Sequence, residues 1–244
     1  MNANVLILGA TSDIALAVAK AYAEKKHTII LAGRATEKLE ILKSDITIRY
    51  SATVYTARFD AADTHDKHQQ FYNTLPVRPD IVVCAFGYLG DQAIAQNQWS
   101  ETEKIIIANY TGAVSILNIT ANDFEQRKAG IIIGISSVAG DRGRQSNYLY
   151  GSAKAGFTAY LSGLRNRLFR SGVHVLTVKP GFVNTRMTEG LPLPKILTAQ
   201  PEQVAAKIVR NASRANTLYV YSIWRWIMLI IKFIPEPIFK KLKL

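Results

Sequence analysis

The sequence has almost no cysteine, no linker-like segment and comparatively few acidic residues. Cys84 is one cysteine among 244 residues, so an intrachain disulfide is excluded and a reducing compartment such as the cytoplasm is favoured. No Pro-, Gly- or Ser-rich stretch divides the chain, and the first apolar run lacks the preceding basic region of a signal peptide. With 48% hydrophobic residues, the chain is long enough to form one domain around a substantial core.

The charge of the chain is strongly positive, with 30 Lys and Arg residues against 18 Asp and Glu residues and a net charge of +12. The cations are scattered and no nucleic-acid-binding motif is present, so we expect no nucleic-acid partner. An anionic substrate, cofactor phosphates or lipid headgroups explain the sign of the charge better. His65 and His68 lack the cysteine or carboxylate neighbours of a metal site, so we expect surface histidines and no bound metal.

Seven apolar runs have the length and composition of buried parallel strands, and helix-like segments separate them. The runs lie at residues 5–8, 28–32, 53–58, 81–85, 130–136, 174–179 and 217–221. This alternation predicts a single α/β domain over residues 1–222. We expect a doubly wound parallel sheet of about seven strands with helices on both faces.

The first run is followed by a glycine turn, Gly9-Ala-Thr-Ser-Asp-Ile-Ala15, and then by a helical segment. Strand, turn and helix are the start of a dinucleotide-binding unit of the Rossmann type, in which helix amides face a pyrophosphate. Arg34, which follows the second run, suits a 2′-phosphate, whereas an acidic residue would suit a free ribose hydroxyl. We therefore favour NADP(H) over NAD(H). The alternative is that Arg34 is a solvated residue at a helix start.

Several polar or turn residues follow the predicted strands and should meet at one edge of the sheet, where ligands of such folds bind. They are Gly9, Arg34, Asp60, Ala85, Ser137, Pro180 and Gly181. Packing requirements alone explain this concentration poorly, so the edge is the predicted functional site.

A tyrosine, a lysine and a serine predict the chemistry of this edge. Tyr150 and Lys154 lie one helical turn apart, and Ser137 precedes Tyr150 by thirteen residues. A phenol ordinarily has a pKa of about 10, and a neighbouring ammonium favours the phenolate, so Lys154 should lower the pKa of Tyr150. A tuned phenol beside a hydroxyl is what carbonyl reduction by hydride transfer, or its reverse, requires.

In order and spacing, these motifs resemble the short-chain dehydrogenase/reductase family over roughly residues 3–220. The matched segments are the turn at 9–15, Asp60, Ala-Asn-Tyr-Thr-Gly112, Ile-Ser-Ser-Val-Ala-Gly140, Tyr150 to Lys154, and Lys-Pro-Gly-Phe-Val-Asn-Thr185. The resemblance implies an enzyme with a catalytic tetrad of Asn109, Ser137, Tyr150 and Lys154. In it, Ser137 orients the substrate oxygen and Tyr150 transfers the proton. Lys154 holds the nicotinamide ribose, and Asn109 bends its helix and holds a water.

The same resemblance implies a larger set of cofactor-binding residues. They are Gly9, Thr11, Ser12, Asp13, Ile14, Arg34, Asp60, Ala85, Gly87, Asn109, Tyr150, Lys154, Pro180, Gly181, Val183 and Thr185. Two features depart from the family pattern. Asp13 and Ala15 stand where the family has glycines, and Cys84-Ala-Phe-Gly87 replaces a segment that usually carries two asparagines. Because the charge of Asp13 opposes phosphates, we expect Asp13 to cap the following helix instead.

Residues 223–244 form a hydrophobic, basic tail. Its apolar stretch, residues 223–234, is too short to span a bilayer, which takes about 20 residues. Two tryptophans, flanking cations and a net charge of +4 over residues 225–244 (five Lys or Arg against one Glu) are typical of a helix in a membrane interface. The alternative, which is compatible with the first, is that the tail packs against the body or a second subunit and closes the substrate site. The family resemblance implies a homo-oligomer.

The substrate is the least determined property. The turn and the basic tail are similar to those of the decaprenylphosphoryl-2-keto-ribose reductase subgroup, which implies a keto-sugar on a polyprenyl phosphate. A loop at residues 187–199, rich in Leu and Pro, favours an apolar substrate, but a sterol, an acyl chain or a quinone would suit it equally. The competing hypotheses are a soluble alcohol dehydrogenase for small molecules and a non-catalytic, membrane-associated NADP-sensing scaffold.

Overall fold

One sheet of seven parallel strands organises the molecule. A computed structural model describes residues 2–242. The strands of this sheet are β1 (Asn4–Leu8), β2 (Thr28–Gly33), β3 (Val54–Arg58), β4 (Ile81–Cys84), β5 (Ile131–Ile135), β6 (His174–Lys179) and β9 (Thr217–Tyr219). The short strands β7 (Phe182–Val183) and β8 (Thr198–Ala199) pair with each other in a second sheet. Their order is β3-β2-β1-β4-β5-β6-β9. The predicted doubly wound α/β fold is confirmed, with strand ends within two residues of expectation.

Helices cover both faces of the sheet. They are α1 (Asp13–Glu24), α2 (Thr36–Tyr50), α3 (His65–Asn73), α4 (Gln92–Ala95), α5 (Trp99–Ile106), α6 (Gly112–Arg127), α7 (Tyr148–Leu168), α8 (Pro201–Asn211), α9 (Ser222–Phe233) and α10 (Glu236–Phe239). One buried cluster packs α1, α2 and α8 on one face, and a second packs α3, α6 and α7 on the other. Because both faces are covered, the strands are nearly continuous apolar runs.

The order of strands reverses between β1 and β4, which places a crevice at the carboxyl ends of these two strands. Gly9 follows the last residue of β1 there and has a φ of 82°, a conformation that favours glycine. A Cβ atom at Gly9 would lie 2.7 Å from the backbone nitrogen of Phe86, just after β4. Glycine is therefore required where the two strand ends approach each other.

The beginning of α3 departs from expectation. His68 was expected at the surface, but its side chain is 1% exposed and stacks against Phe59. Its imidazole is hydrogen-bonded to Ser115 Oγ at 2.8 Å and to the carbonyl oxygen of Asp60 at 2.8 Å. His68 thus fixes the loop that carries Asp60.

The tail folds back onto the body through α9. Trp224 and Met228 are buried against Val138, whereas Ile223, Trp226, Ile230 and Phe233 form an exposed apolar row that we call the outer tail stripe. Within residues 2–242, none of the helices is both long and apolar enough to cross a membrane. Residues 243 and 244 of the predicted tail lie outside the described residues.

Arg142 fastens the end of this tail to the loop between β5 and α7. Its guanidinium donates hydrogen bonds to the carbonyl oxygens of Ile231 (2.7 Å) and Ile234 (2.6 Å), at the C-terminus of α9. It also pairs with Glu236 at 2.9 Å and lies 3.7 Å from the ring centre of Phe239. A cation at a helix C-terminus also interacts favourably with the helix dipole.

Candidate active site

Two neighbouring cavities occupy the carboxyl edge of the sheet. The inner cavity, of about 300 Å³, extends from the start of α1 to Tyr150 and Trp224. The outer cavity, of about 460 Å³, extends along the ends of β1, β2 and β3. Ser12, Gly87 and Arg186 line both cavities, so the two form one elongated crevice.

The structure brings nearly all of the predicted site residues to this crevice. The inner cavity is lined by Ser12, Asp13, Ile14, Ala85, Gly87, Ser137, Tyr150, Lys154, Pro180, Gly181, Val183 and Thr185. The outer cavity is lined by Gly9, Thr11, Ser12, Arg34, Asp60 and Gly87. These residues come from six different strand ends and two helices, which is what the fold was expected to assemble.

Asn109 lies behind the cavities rather than in their walls. It is buried in a π-helical segment, Ile107–Thr111, which is the bend expected of its helix. Its amide donates to the carbonyl oxygen of Tyr88 at 2.6 Å, and its Oδ1 accepts from the Tyr88 amide at 3.2 Å. A Cβ atom at Gly87 would lie 2.7 Å from Asn109 Oδ1 and 3.4 Å from Lys154 Nζ. Glycine at position 87 therefore allows this close approach.

The two consecutive serines, Ser136 and Ser137, have different environments in the structure. Ser136 is buried and its hydroxyl is committed to the carbonyl oxygen of Lys154 and the hydroxyl of Thr158, at 3.0 and 2.7 Å. Ser137 lines the inner cavity, where its hydroxyl accepts a hydrogen bond from the amide of Ala139 at 3.1 Å. The hydroxyl of Ser137 lies at the cavity near Tyr150, whereas that of Ser136 does not, so Ser137 is the serine available for chemistry.

The pKa of Tyr150 is shifted in the direction opposite to the expected one. Burial raises the pKa of Tyr150 to about 12, although a hydrogen bond with Ser137 opposes the shift. Burial also lowers the pKa of Lys154 to about 8. Lys154 Nζ lies 5.7 Å from the ring centre of Tyr150 and donates to the carbonyl oxygen of Ile135 at 3.1 Å. Desolvation of the phenol therefore sets the direction of the shift, and the expected lowering of the Tyr150 pKa by Lys154 is not found.

Replacing Lys154 with methionine should stabilise the protein at neutral pH. The folded protein holds this amine with a pKa of about 8 against an ordinary 10.5. The unfolded chain thus binds more protons between these values, and stability rises with pH across that window. We expect Lys154→Met to raise the free energy of unfolding at pH 7 by up to about 3 kcal/mol, with a gain that shrinks above pH 8.

Urea denaturation of both proteins at intervals from pH 7 to pH 10 measures this effect. Lys43, whose side chain is partly exposed on α2, supplies the control, because Lys43→Met should leave the pH dependence unchanged. A Lys154→Met protein that is less stable than the wild type at pH 7 would contradict the prediction.

Asp13 takes a role that the sequence did not reveal. The cap of α1 is Ser12, whose hydroxyl accepts from the amide of Ala15 at 3.4 Å, so the expected capping by Asp13 is wrong. The carboxylate of Asp13 instead accepts from the amide and Nε of Arg186 at 2.8 and 3.0 Å. Arg186 also donates to the carbonyl oxygen of Thr11. The negative charge that seemed to oppose a pyrophosphate is thus balanced by a cation.

Trp224, in the tail, forms part of the wall of the inner cavity, which agrees with the alternative that the tail packs against the body. Its indole packs edge-on against Phe182, and its Nε1 donates to the carbonyl oxygen of Leu197 at 3.4 Å. A Cβ atom at Gly181 would lie 1.9 Å from Trp224 Nε1. The hydrophobic character of α9 was visible in the sequence, but its contact with Gly181 depends on the fold.

Asp141 and Lys179 form a buried ion pair beneath the loop that follows Ser137. Their side chains are 2% and 8% exposed, and the hydroxyl of Tyr219 donates to the second carboxylate oxygen of Asp141 at 2.9 Å. The pair joins this loop to β6 and β9. No sequence motif indicated it, because its members are far apart in the chain.

A model of the short chain dehydrogenase family matches residues 3–194. The chain belongs to the short-chain dehydrogenase family. Two curated relatives are uncharacterized oxidoreductases. One, from Streptomyces coelicolor, is 33% identical over 98% of this chain and 95% of its own length. The other, from Mycobacterium tuberculosis, is 37% identical over 85% of this chain and 84% of its own length. The protein is an oxidoreductase of this family.

Solved structures show the same fold. A short-chain dehydrogenase from Sphingobium yanoikuyae in complex with NADPH superposes with a TM-score of 0.83 at 22% identity, covering 96% of this chain and 97% of the other. The closed form of a serine dehydrogenase complexed with NADP+ superposes with a TM-score of 0.79 at 24% identity, covering 88% and 93%. The first of these structures contains NADPH and the second contains NADP+.

The crevice of this short-chain dehydrogenase fits a dinucleotide. Asp13 and Ile14, the first two residues of α1, line it, and such amides lack partners within their own helix. Among the described residues, none pairs with the exposed guanidinium of Arg34 at the end of β2. Helix amides suit a pyrophosphate, and an unpaired arginine in the wall of the outer cavity suits a phosphate.

Proposed function

We propose that the protein is an NADP(H)-dependent carbonyl reductase for an apolar or lipid-linked keto substrate. The observation that carries the proposal is that Ser137, Tyr150 and Lys154 line one cavity that is continuous with Arg34 at the other end of the crevice. Nicotinamide-dependent reduction requires groups that bind the cofactor phosphates and a group that transfers a proton, and this cleft has them at its opposite ends.

The roles of the side chains follow from their positions. Bound NADPH supplies the hydride. The hydroxyl of Ser137 donates a hydrogen bond to the carbonyl oxygen, and Tyr150 donates its proton to the alkoxide that forms there. Below pH 8 Lys154 is positively charged, so it stabilises the phenolate left on Tyr150 and would assist the reverse reaction as well.

Apolar side chains around Tyr150 support a substrate with a large apolar part. The inner cavity is lined by Ile14, Leu89, Val138, Phe182, Met187, Leu191 and Trp224. Met187 and Leu191 belong to the loop at residues 187–199. A keto-sugar on a polyprenyl phosphate is the specific candidate that we propose, and this lining is less suited to a small polar alcohol.

Replacing Arg34 tests the cofactor part of the proposal. A guanidinium–phosphate contact is charge-assisted, so Arg34→Ala should weaken NADPH binding about 10- to 100-fold and leave NADH binding nearly unchanged. Fluorescence titration with each nucleotide measures both affinities. Lys38→Ala is the matched control, because Lys38 is an exposed cation on α2 outside the crevice. If the wild type binds NADH as tightly as NADPH, the preference that we propose is wrong.

We also propose that the outer tail stripe rests on an anionic membrane surface. Ile223, Trp226, Ile230 and Phe233 follow helical spacing and are 50%, 63%, 67% and 77% exposed. Arg225, Lys232, Lys240 and Lys241 are exposed near this stripe, which gives it the charge that attracts anionic lipid. A second copy of the chain is the competing occupant.

Charged substitutions in the stripe separate these occupants. Trp226→Glu with Ile230→Glu should abolish sedimentation with vesicles rich in phosphatidylglycerol, because apolar anchoring is lost and lipid charge is repelled. Glu37→Gln on α2 is a control that should sediment like the wild type. A wild type that stays in the supernatant, or a variant whose oligomer dissociates without loss of sedimentation, would contradict the membrane proposal.

A further inference from the structure

Two polar side chains in the wall of the inner cavity are held without protein partners. Arg144 Nε and Asn147 Oδ1 are fully shielded atoms, and no described residue is hydrogen-bonded to either. Both residues line the inner cavity, as does Tyr150, one helical turn after Asn147. Buried polar groups are nearly always hydrogen-bonded, so two such atoms in one wall of a cavity call for an explanation.

The charge of Arg144 is also uncompensated. The nearest acidic residue, Asp141, is engaged with Lys179 and Tyr219, and Arg144 forms no ion pair within residues 2–242. Burial lowers the pKa of its guanidinium, which shows the cost of keeping the charge there, and Asp141 offsets this only in part. An unpaired buried charge destabilises a protein unless another function keeps it.

The side chain of Asn147 does not form the capping hydrogen bond that is usual at the start of a helix. It is the N-cap residue of α7, where asparagine side chains usually accept from helix amides, but its side chain makes no capping bond. The amide of Leu149 is capped instead by Gln92 Oε1 at 3.1 Å. Asn147 Oδ1 is therefore left without a hydrogen-bond donor just beneath the cavity wall, beside the backbone turn in which the Asn147 amide donates to the carbonyl oxygen of Arg144 at 3.1 Å.

We infer that Arg144 and Asn147 are a substrate-recognition pair that binds an anionic group and an adjacent hydroxyl of the substrate. Arg144 donates to a carboxylate or phosphate oxygen, and rotation of the Asn147 side chain toward the cavity lets its Oδ1 accept from the hydroxyl. Substrates without an anionic group are disfavoured, because they leave the partly buried guanidinium unpaired. The inference rests on the proposed reductase function, since it takes the inner cavity as the substrate site.

Binding of inert anions tests the pair without relying on turnover. Benzoate and phenyl phosphate, with benzyl alcohol and phenol as neutral counterparts, are titrated calorimetrically into the full chain with and without saturating NADP+. We expect the wild type to bind at least one anion about 10- to 100-fold more tightly than its neutral counterpart. Arg144→Met should remove this difference, and Arg144→Lys should keep part of it. The stronger anion shows whether the cavity selects a phosphate or a carboxylate.

Three controls make the test decisive. Arg170→Met removes an exposed arginine outside the cavity and should keep the anion preference. Arg144→Met should melt at or above the wild-type temperature, whereas a purely structural arginine would leave the variant less stable. Asn147→Asp should weaken anion binding by repulsion while keeping the shape of the wall.

The inference is overturned if anions and neutral compounds bind the wild type alike, or if Arg144→Met keeps the preference. It is also overturned if Arg144→Met weakens NADP+ binding instead, since Arg144 would then contact the cofactor. Failure of the wild type to bind NADP+ would refute the proposed function by itself, and the titration without nucleotide would still decide the role of Arg144.

Discussion

Tyr150→Phe should reduce turnover about 10²- to 10⁴-fold and leave the affinity for NADPH close to that of the wild type. The substitution removes only the hydroxyl that donates the proton, and it keeps the ring that lines the inner cavity. Since burial raises the pKa of this phenol to about 12, the group is fully protonated at neutral pH and ready to donate in the reductive direction. Absorbance of NADPH under single-turnover conditions follows the chemical step directly.

Tyr148 provides a matched control two residues away. Its side chain is 42% exposed at the start of the same helix, and it has no lysine one turn later. Tyr148→Phe should therefore turn over at the wild-type rate. Should Tyr150→Phe be as active as Tyr148→Phe, the assignment of Tyr150 as proton donor would be wrong.

Asp141→Ala should lower the free energy of unfolding by about 3–5 kcal/mol, because it leaves the ammonium of Lys179 buried without its partner. The hydroxyl of Tyr219 loses its acceptor as well. Chemical denaturation at pH 7 measures the difference. The matched surface control is Lys43→Ala, which breaks an exposed pair with Glu40 and should cost less than about 1 kcal/mol.

Removing both charges distinguishes a buried ion pair from simple loss of packing. Asp141→Leu combined with Lys179→Met should recover much of the stability lost in Asp141→Ala, because neither charge is then left in an apolar environment. If the double variant is less stable than Asp141→Ala, the loss reflects side-chain packing, and the electrostatic explanation fails.

The sequence predicted the sheet well because its strands are buried on both faces. Such strands are continuous apolar runs, so their number and their limits can be read with little tertiary information. Predicted site residues such as Gly9, Arg34 and Ser137 were found at one edge for the same reason, since strand ends of a parallel sheet all point the same way.

The features that the sequence did not reveal are contacts between distant segments. Asp13 pairs with Arg186, 173 residues away, and only this pairing shows how an aspartate is tolerated beside the proposed pyrophosphate site. Burial of the phenol and the amine at the site also depends on packing, so the direction of the Tyr150 pKa shift was wrong when it was argued from helical spacing alone.

The hydrogen bonds and the ion pair that join Arg142 to the tail limit how the tail can be studied. Truncating the chain before α9 would remove the Trp224 side chain from the wall beside Gly181 and would release the segment that carries Arg144. If a shortened protein then showed altered catalysis, the change could come from the damaged wall of the inner cavity as well as from lost membrane binding. Side-chain replacements on the outward face of α9 are the cleaner intervention, and an affinity handle is better placed at the other terminus.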